Sequence, residues 1–324
     1  MKLSYLDQLT PHLYFPVIFF YQPNETKGLS TSNHVQISQH LKKSLSETLT
    51  SFYPLAGIIQ ENFIIDCNDA GVEFIEARID AQLKDSIQKT NMENLKQYLP
   101  VDPIEGGLAL RSEAAVATSS SDSTTNVKNP TNVELVSAFI WKIFINNVVK
   151  YSNNLRGIKK VFAAFHAVNL RARISSPDDD QYYLENVFGN CIMSALATTN
   201  NTCNNTFHEL VSKLRSSIRK ISDDYIKKAE NGECYLNDLF GLISFLAKGE
   251  LEYCRFSSWC SFPIYEVDYG WGSPIWVCTT ALPLKNVIVL ARSRCGEGIE
   301  AWVNMNQDNL QVLETQIQLI STNM

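Results

Sequence analysis

The stretch EVDYGWGSPIWVCTT, residues 266–280, places two glycines around a tryptophan inside an otherwise apolar run. Glycine in a strand loses more backbone entropy than other residues and packs no side chain, so Gly270 and Gly272 predict a bulge or a tight bend. Asp268 brings a carboxylate into the same bend. We therefore interpret this stretch as one that fixes the path of the chain, and we expect any chemistry to lie elsewhere.

Length and composition indicate a packed protein of two domains. The chain has 324 residues, which exceeds the length at which a single hydrophobic core usually stops growing. Apolar residues make up 45% and charged residues 19%, which is typical of globular proteins rather than disordered ones. The net charge of −6 gives no electrostatic footprint for nucleic acid or an anionic membrane. Because no apolar run reaches the roughly 18 residues of a membrane span, we expect a cytoplasmic protein.

The residue patterns give no support for a metal or a bound cofactor. The eight cysteines are scattered without a C-x-x-C pair, which argues against both a zinc site and a disulfide framework. Neither H-x-x-x-H nor H-E-x-x-H occurs, and no glycine-rich loop opens a helix to bind phosphate. A G-x-S-x-G nucleophile motif is also missing. We expect neither a metal nor a tightly bound cofactor.

Histidine is the side chain best suited to a general base, since its pKa lies near neutrality. The N-L-R run at 169–171 follows His166 closely, which makes this histidine the one candidate to keep. A histidine within a strand-like apolar run is nevertheless more often a hydrogen-bonded core residue. We therefore retain His166 as a weak catalytic candidate, and we interpret the remaining histidines as surface or packing residues: His12, His34, His40 and His208.

Apolar spacing and turn residues predict several elements of secondary structure. They are a buried strand in LYFPVIFFY (13–21), a helix with one buried face that Pro54 ends, a hairpin around Asn68–Gly71, helices with capping boxes at Thr131/Glu134 and Thr206/Glu209, a hairpin turning at Gly296 and Gly298, and a last helix over 308–320. The region between Pro100 and Pro130 shows no strand pattern. Its residues 118–125 are almost all serine and threonine, as in a loop.

Several stretches, taken together and in order, resemble the BAHD family of plant acyl-CoA-dependent acyltransferases, and especially its vinorine synthase-like branch. The resemblance implies the two-domain α/β architecture of the chloramphenicol acetyltransferase kind. It also implies that the D-F-G-W-G motif of the family, here Asp268, Tyr269, Gly270, Trp271 and Gly272, is structural. The matching stretches are LSYLDQL, SFYPLAG, DCNDAGVEFIEA, PTNVELVSAFIWK, AVNLRAR, the pair Gly189 and Asn190, SSWCSFPIYEVDYGWG and GIEAWVNM.

The resemblance further implies a monomeric enzyme that takes acyl-CoA as co-substrate and a small-molecule alcohol as acceptor. In this family the histidine of an H-x-x-x-D motif removes the proton of the acceptor hydroxyl. The freed oxygen then attacks the thioester and coenzyme A leaves. None of the five histidines here is followed by aspartate four residues later, so the motif is missing from the sequence.

The order of the family's landmarks predicts where that motif was lost. QYLPVDPIEGG resembles the stretch before the catalytic strand, whereas LALRSEAAVATSSS resembles the end of a helix well beyond it. Gly107 and Leu108 therefore join segments that the family keeps apart. The family also carries a strand before LSYLDQL. We accordingly divide the chain into a partial N-terminal domain (1–107), a junction with a Ser/Thr-rich loop (108–130) and a C-terminal domain (131–324) that contains Asp268–Gly272.

Three hypotheses follow. The favoured one is an O-acyltransferase for a plant specialised metabolite such as an alkaloid, incomplete and inactive as written. The second is a non-catalytic homologue that binds a ligand or a partner, and the third is a shortened enzyme that uses His166 as its base. We also predict that Asp268 pairs with Arg171, because arginine can offset the desolvation of a carboxylate through two parallel hydrogen bonds.

Overall fold

The structure, a computed structural model, divides the chain into two compact units that we describe separately. The first unit contains Met1–Thr90, Asn94–Pro103 and Pro263–Thr280, and the second contains Asn91–Glu93, Ile104–Phe262 and Ala281–Met324. The described residues are 1–8, 14–22, 34–61, 64–88, 92–100, 108–114, 129–152, 160–174, 188–200, 205–230, 235–282 and 284–322. The junction residue Gly107 and the Ser/Thr-rich residues 118–125 lie outside them.

Short elements make up the first unit. In chain order the described ones are α1 (Tyr5–Gln8), β1 (Ile18–Phe20), α2 (His34–Ser51), β2 (Ile58–Gln60), β3 (Ile64–Asp66) and α3 (Leu83–Gln88). Strand β8 (Trp276–Cys278) comes from late in the chain and pairs antiparallel with β1. The units therefore differ from the sequence-based division at residues 263–280, because this pairing joins the D-Y-G-W-G region to the N-terminal residues.

A six-stranded mixed sheet forms the centre of the second unit. Its strands are β4 (Leu108–Ala114), β5 (Val161–Asn169), β6 (Ile192–Asn200), β7 (Leu251–Ser258), β9 (Val287–Arg292) and β10 (Ile299–Met305). They lie in the order β4-β10-β9-β7-β5-β6. Strand β7 runs parallel to both β5 and β9, and the other pairs are antiparallel.

The second unit also contains five described helices, of which the first, the second and the last contribute buried residues to its core. They are α4 (Asn132–Ser152), α5 (Phe207–Lys220), α6 (Asp223–Glu230), α7 (Tyr235–Ala247) and α8 (Gln307–Thr322). Trp141 of α4 and the strand residues Phe162 and Trp302 are fully buried. Residues 132–150 of α4 are long enough, and of high enough mean hydropathy, to cross a membrane, but over half of this stretch is buried inside the protein. It is the core helix of this unit.

Four of the predicted local features are confirmed in the second unit. Thr131 and Glu134 exchange the two hydrogen bonds of a capping box, as do Thr206 and Glu209. Strands β9 and β10 pair as the predicted hairpin, with Gly296 at a positive φ of 79°. The last helix is α8. Local sequence decided these features because each depends on residues only a few positions apart.

Two predictions about strands were wrong. The runs on either side of Asn68–Gly71 do not pair with each other, since β3 pairs instead with β2. Leu108–Ala114 forms a strand although no strand pattern was recognised between Pro100 and Pro130. The composition of this segment favours a helix, but pairing with the edge of β10 satisfies its backbone groups, and this tertiary pairing overrides the local preference.

Candidate functional site

The D-Y-G-W-G loop is held by backbone hydrogen bonds to a single carboxylate. Oδ1 of Asp268 accepts from the N–H of Gly270 at 2.8 Å and from the N–H of Gly272 at 2.7 Å. Both glycines have φ of 104°, a conformation that side-chain-bearing residues rarely adopt, and no atom lies within 4 Å of where a Cβ would stand. Backbone conformation, rather than crowding, therefore requires glycine at both positions.

Aromatic side chains fasten this loop to the N-terminal residues of the first unit. The hydroxyl of Tyr21 donates to the carbonyl of Val267 at 2.9 Å, and its ring meets the edges of Trp271 and Tyr269 at centroid distances of 6.2 and 6.0 Å. Burial, followed by the charges of Tyr269 and Asp268, raises the pKa of Tyr21 to about 12. The hydroxyl thus stays protonated as a donor, and the loop serves to position the chain.

Arg171 holds a second turn, in the second unit. Its Nη2 donates to the carbonyl of Gly189 at 2.8 Å, while Oδ1 of Asn169 accepts from the Arg171 backbone N–H at 3.1 Å. The side-chain bond connects the N-L-R run to Gly189, which lies 18 residues later in the chain. The buried Leu170 adds a second connection, because its N–H donates to the carbonyl of Cys191. Since Asp268 belongs to the other unit, its pairing with Arg171 stays a prediction.

His166 lies in the middle of β5 and is only 4% exposed. Its Nε2 is 3.4 Å from the Oγ of Ser137, and its ring stacks on Phe256 with centroids 5.9 Å apart. Burial lowers its pKa, and the carbonyl of Ala167 and the charge of Glu134 offset this lowering only in part. The imidazole is therefore a neutral core side chain. An acceptor substrate would have to enter the core to come within hydrogen-bond reach of it.

The other histidines show no catalytic arrangement in the described residues. His34 and His40 are exposed on α2, and the ring of His40 lies 6.0 Å from that of Trp271. His208 contacts the ring of Phe207 in the first turn of α5. His12 lies outside the described residues. Within the described ranges, no three His, Cys, Asp or Glu side chains are grouped so as to hold a metal ion.

A buried ion pair near His166 was not recognised from sequence. Arg215 of α5 donates from Nε to Oε1 of Glu134 at 3.0 Å and from Nη2 to Oε2 at 2.6 Å. Burial by itself raises the pKa of Glu134, but the hydrogen bonds from Arg215 and Thr131 outweigh it, so this pKa is lowered. The capping box predicted the position of Glu134 but gave no sign of a partner 81 residues away. The pair joins the N-terminus of α4 to α5.

Comparison with known proteins places these features in a family. The model of the Transferase family matches residues 1–108 and 110–320. Stemmadenine O-acetyltransferase of Catharanthus roseus is 31% identical, over 99% of this chain and 93% of the relative. Limonoid 7-O-acetyltransferase of Citrus sinensis is 30% identical, with the same coverage of each chain.

A solved structure gives the same result. The crystal structure of vinorine synthase superimposes with a TM-score of 0.73 at 28% sequence identity, covering 96% of this chain and 91% of that one. The fold is therefore that of the chloramphenicol acetyltransferase-like enzymes, as the family resemblance implied. With the family model matching nearly the whole chain and the D-Y-G-W-G and N-L-R turns intact, this protein belongs to the BAHD acyltransferases of the Transferase family.

Proposed function

We propose that the complete form of this protein is an acyl-CoA-dependent O-acyltransferase that acetylates a hydroxyl group of a plant alkaloid or terpenoid. The observation that carries this proposal is the match to the family model in chain order, together with relatives that are named as O-acetyltransferases. We further propose that the protein is a cytoplasmic monomer with acyl-CoA as its co-substrate and no bound cofactor.

We also propose that the chain as written lacks the catalytic segment. The match to stemmadenine O-acetyltransferase extends over 414 aligned positions, so at least 90 of them have no residue in this 324-residue chain. The family model is interrupted between residues 108 and 110, next to the Gly107–Leu108 junction predicted from sequence. Both observations support an internal omission at the point where the chain leaves the first unit.

The chemistry of O-acyl transfer explains why this segment matters. A base must take the proton of the acceptor hydroxyl while the oxygen attacks the thioester carbonyl, after which the thiolate of coenzyme A leaves. Such a base contributes about 10² to 10⁴ in rate, and correct positioning of the reactants about 7–11 kcal/mol of the barrier. Among the described residues His166 is the only buried histidine, and its ring contacts Phe256 and Ser137 in the core. We therefore expect the 324-residue protein to be inactive.

The experiment is an assay of two proteins side by side. The 324-residue protein and its His166→Ala variant are incubated with acetyl-CoA and a panel of alkaloid and terpenoid alcohols, and free thiol is measured. We expect no release above background from either protein. Turnover that disappears in the variant would favour His166 as the base, and turnover that persists would reveal a base elsewhere.

The proposed function itself is tested on a restored chain. The missing stretch, taken from the transcript or from stemmadenine O-acetyltransferase, is inserted between Gly107 and Leu108, and the same assay is repeated. We expect thiol release that depends on the inserted histidine. A folded, restored protein that binds an alcohol but never transfers acetyl would favour the non-catalytic homologue instead.

A further inference from the structure

The six-stranded sheet of the second unit has two faces that differ in their side chains. Alternate strand residues, such as Phe256 of β7 and Leu290 of β9, form one core with α4, α5 and α8. Successive side chains of a strand point to opposite sides of a sheet, so the residues between them lie on the other side, which we call the second face. In the register of the strands, one row across the second face is Asn304, Val287, Arg255, Phe165 and Leu196.

Arg255 stands in the middle of this row as a charge without an opposite charge. Its strand, β7, has a neighbour on each side, and its side chain is partly buried. It takes part in none of the ion pairs found among the described residues. On the second face of β5, β6, β7, β9 and β10, the one acidic residue is Glu300, four residues along and two strands away, which is about 16 Å by strand spacing.

An unpaired charge at this position needs a physical reason. Removing a charge from water costs free energy unless an opposite charge or hydrogen bonds offset the loss. No carboxylate of the second face is close enough to Arg255 to do so. The arrangement therefore indicates that the anion which Arg255 meets comes from outside the chain.

An aromatic ring holds the guanidinium of Arg255 in place. The guanidinium carbon lies 5.2 Å from the ring centre of Tyr253, and the ring of Phe165 meets that of Tyr253 edge-on at 6.0 Å. Arginine can stack on an aromatic face while the N–H groups at its edge stay available as a planar fork. Ser257 lies two residues further on the same face, about 6.6 Å along the strand, and adds a hydroxyl donor.

We infer that Arg255, oriented by Tyr253, is a specificity-determining residue that binds an anionic group of a substrate on the second face. The anion is a phosphate or a carboxylate, because both present the paired oxygens that fit a guanidinium fork. The inference rests on the proposed function, whose substrates carry such groups: coenzyme A has phosphates, and a terpenoid acceptor can bear a carboxylate. A small ligand fits better than a protein partner, because the charge is single, partly buried and framed by two rings.

Binding to the 324-residue protein, measured by calorimetry, tests the inference and distinguishes the two sources of the anion. All the residues concerned belong to the second unit, which has its own continuous core. Coenzyme A is compared with pantetheine, which lacks the phosphates, and oleanolic acid with its methyl ester, which lacks the carboxylate. Arg255→Met is compared with Arg292→Met, which removes the same charge from an exposed position at the end of β9, on the opposite face.

We expect Arg255→Met to weaken the binding of one anionic ligand at least 10-fold, and Arg292→Met to leave it unchanged. A loss for coenzyme A but not pantetheine would identify a phosphate, and a loss for the acid but not the ester would identify a carboxylate. Three results would overturn the inference: a parent protein that binds neither anionic ligand, unchanged affinities in Arg255→Met, or equal losses in the two variants.

The unfolding midpoint separates binding from a structural role. Because Arg255 has no ion pair to lose, Arg255→Met should leave the midpoint unchanged or raise it. A fall of several degrees, or a variant that does not fold, would assign Arg255 to the support of the sheet and would contradict the inference.

A footprint on the unaltered protein requires no variant. Phenylglyoxal modifies accessible arginine side chains, and peptide mass spectrometry gives the rate at each one. We expect coenzyme A or oleanolic acid to slow the modification of Arg255 at least fivefold while Arg292 reacts at the same rate. Equal rates at Arg255 with and without each ligand would refute the inference.

These readouts also separate the inference from the proposed function. A restored chain that transfers no acetyl group, while Arg255 still governs binding, would count against the proposed function alone. A restored chain that transfers acetyl with the same KM for both substrates in Arg255→Met would support the function and overturn the inference.

Discussion

The buried pair of Glu134 and Arg215 offers the most direct test of how the second unit is held together. We consider Glu134→Gln, which removes the charge but keeps the shape of the side chain. Glutamine can still accept the hydrogen bond of Thr131 in the capping box, so the helix start is preserved. The change therefore isolates the loss of the two charge-assisted bonds from Arg215, at 3.0 and 2.6 Å.

The expected loss follows from the burial of both groups. Breaking one side of a buried ion pair costs about 3–5 kcal/mol, because the remaining charge is left without its partner. Both side chains are 11% exposed, and Arg215 keeps its bond to the carbonyl of Asn129, so we expect the lower end, about 3 kcal/mol. For a unit of this size that corresponds to a fall of about 6–12 °C in the unfolding midpoint.

Thermal and urea unfolding, followed by circular dichroism, measure this loss against Glu47→Gln. Glu47 forms an exposed pair with Lys43 at 3.9 Å on α2, and removing it should change stability by no more than about 0.5 kcal/mol. Since the pKa of Glu134 is lowered from its ordinary 4.5, its stabilisation is present above that value and is lost as the pH falls through the folded-state pKa. The gap between parent and Glu134→Gln should therefore be full at neutral pH and close in acid. Equal effects of the two substitutions at neutral pH would refute this reasoning.

The remaining predictions concern the two turns, a helix and the buried histidine of β5. Gly270→Ala should lower the free energy of unfolding by about 1–2 kcal/mol, because φ is 104° there. Gly241→Ala, inside α7, should raise it by up to about 1 kcal/mol. Denaturation curves of the two variants that shift in the same direction would contradict this. Asp268→Ala and Arg171→Ala in a double-mutant cycle should show coupling above about 0.5 kcal/mol if the two side chains pair, and additive effects would rule the pairing out. His166→Ala should lower the unfolding midpoint through the space left against Phe256 and Ser137, and an unchanged midpoint would show that His166 does not support the core.

How far the sequence predicts this fold depends on the range of the interactions concerned. The capping boxes at Thr131 and Thr206 and the hairpin at Gly296 were predicted because a few neighbouring residues determine them. The pairing of β1 with β8 joins residues more than 250 positions apart, and neither the local pattern nor the family resemblance predicted it. Local pattern alone could not assign residues 263–280 to the N-terminal unit.

The errors have the same origin. The run after Gly71 was predicted as a hairpin strand from its β-rich composition. Phe74 and Glu76 of this run both contact Lys42 of α2. The predicted hairpin was wrong because its first run, β3, pairs with β2 instead, and a strand's own sequence does not specify which strand it meets. Leu108–Ala114 shows the converse, a helix-favouring stretch that takes the free edge of β10. Of the candidate active site, the sequence could show only that the H-x-x-x-D motif of the family is missing.

The central claim is that an internal catalytic segment has been omitted at the Gly107–Leu108 junction, and sequencing of full-length transcripts across these two codons tests it most directly. We expect transcripts that carry about 90 additional codons in frame, including a histidine followed four residues later by an aspartate. Transcripts that all join the codon of Gly107 directly to that of Leu108, over genomic DNA with no coding sequence between them, would contradict the claim and make this protein a true deletion homologue.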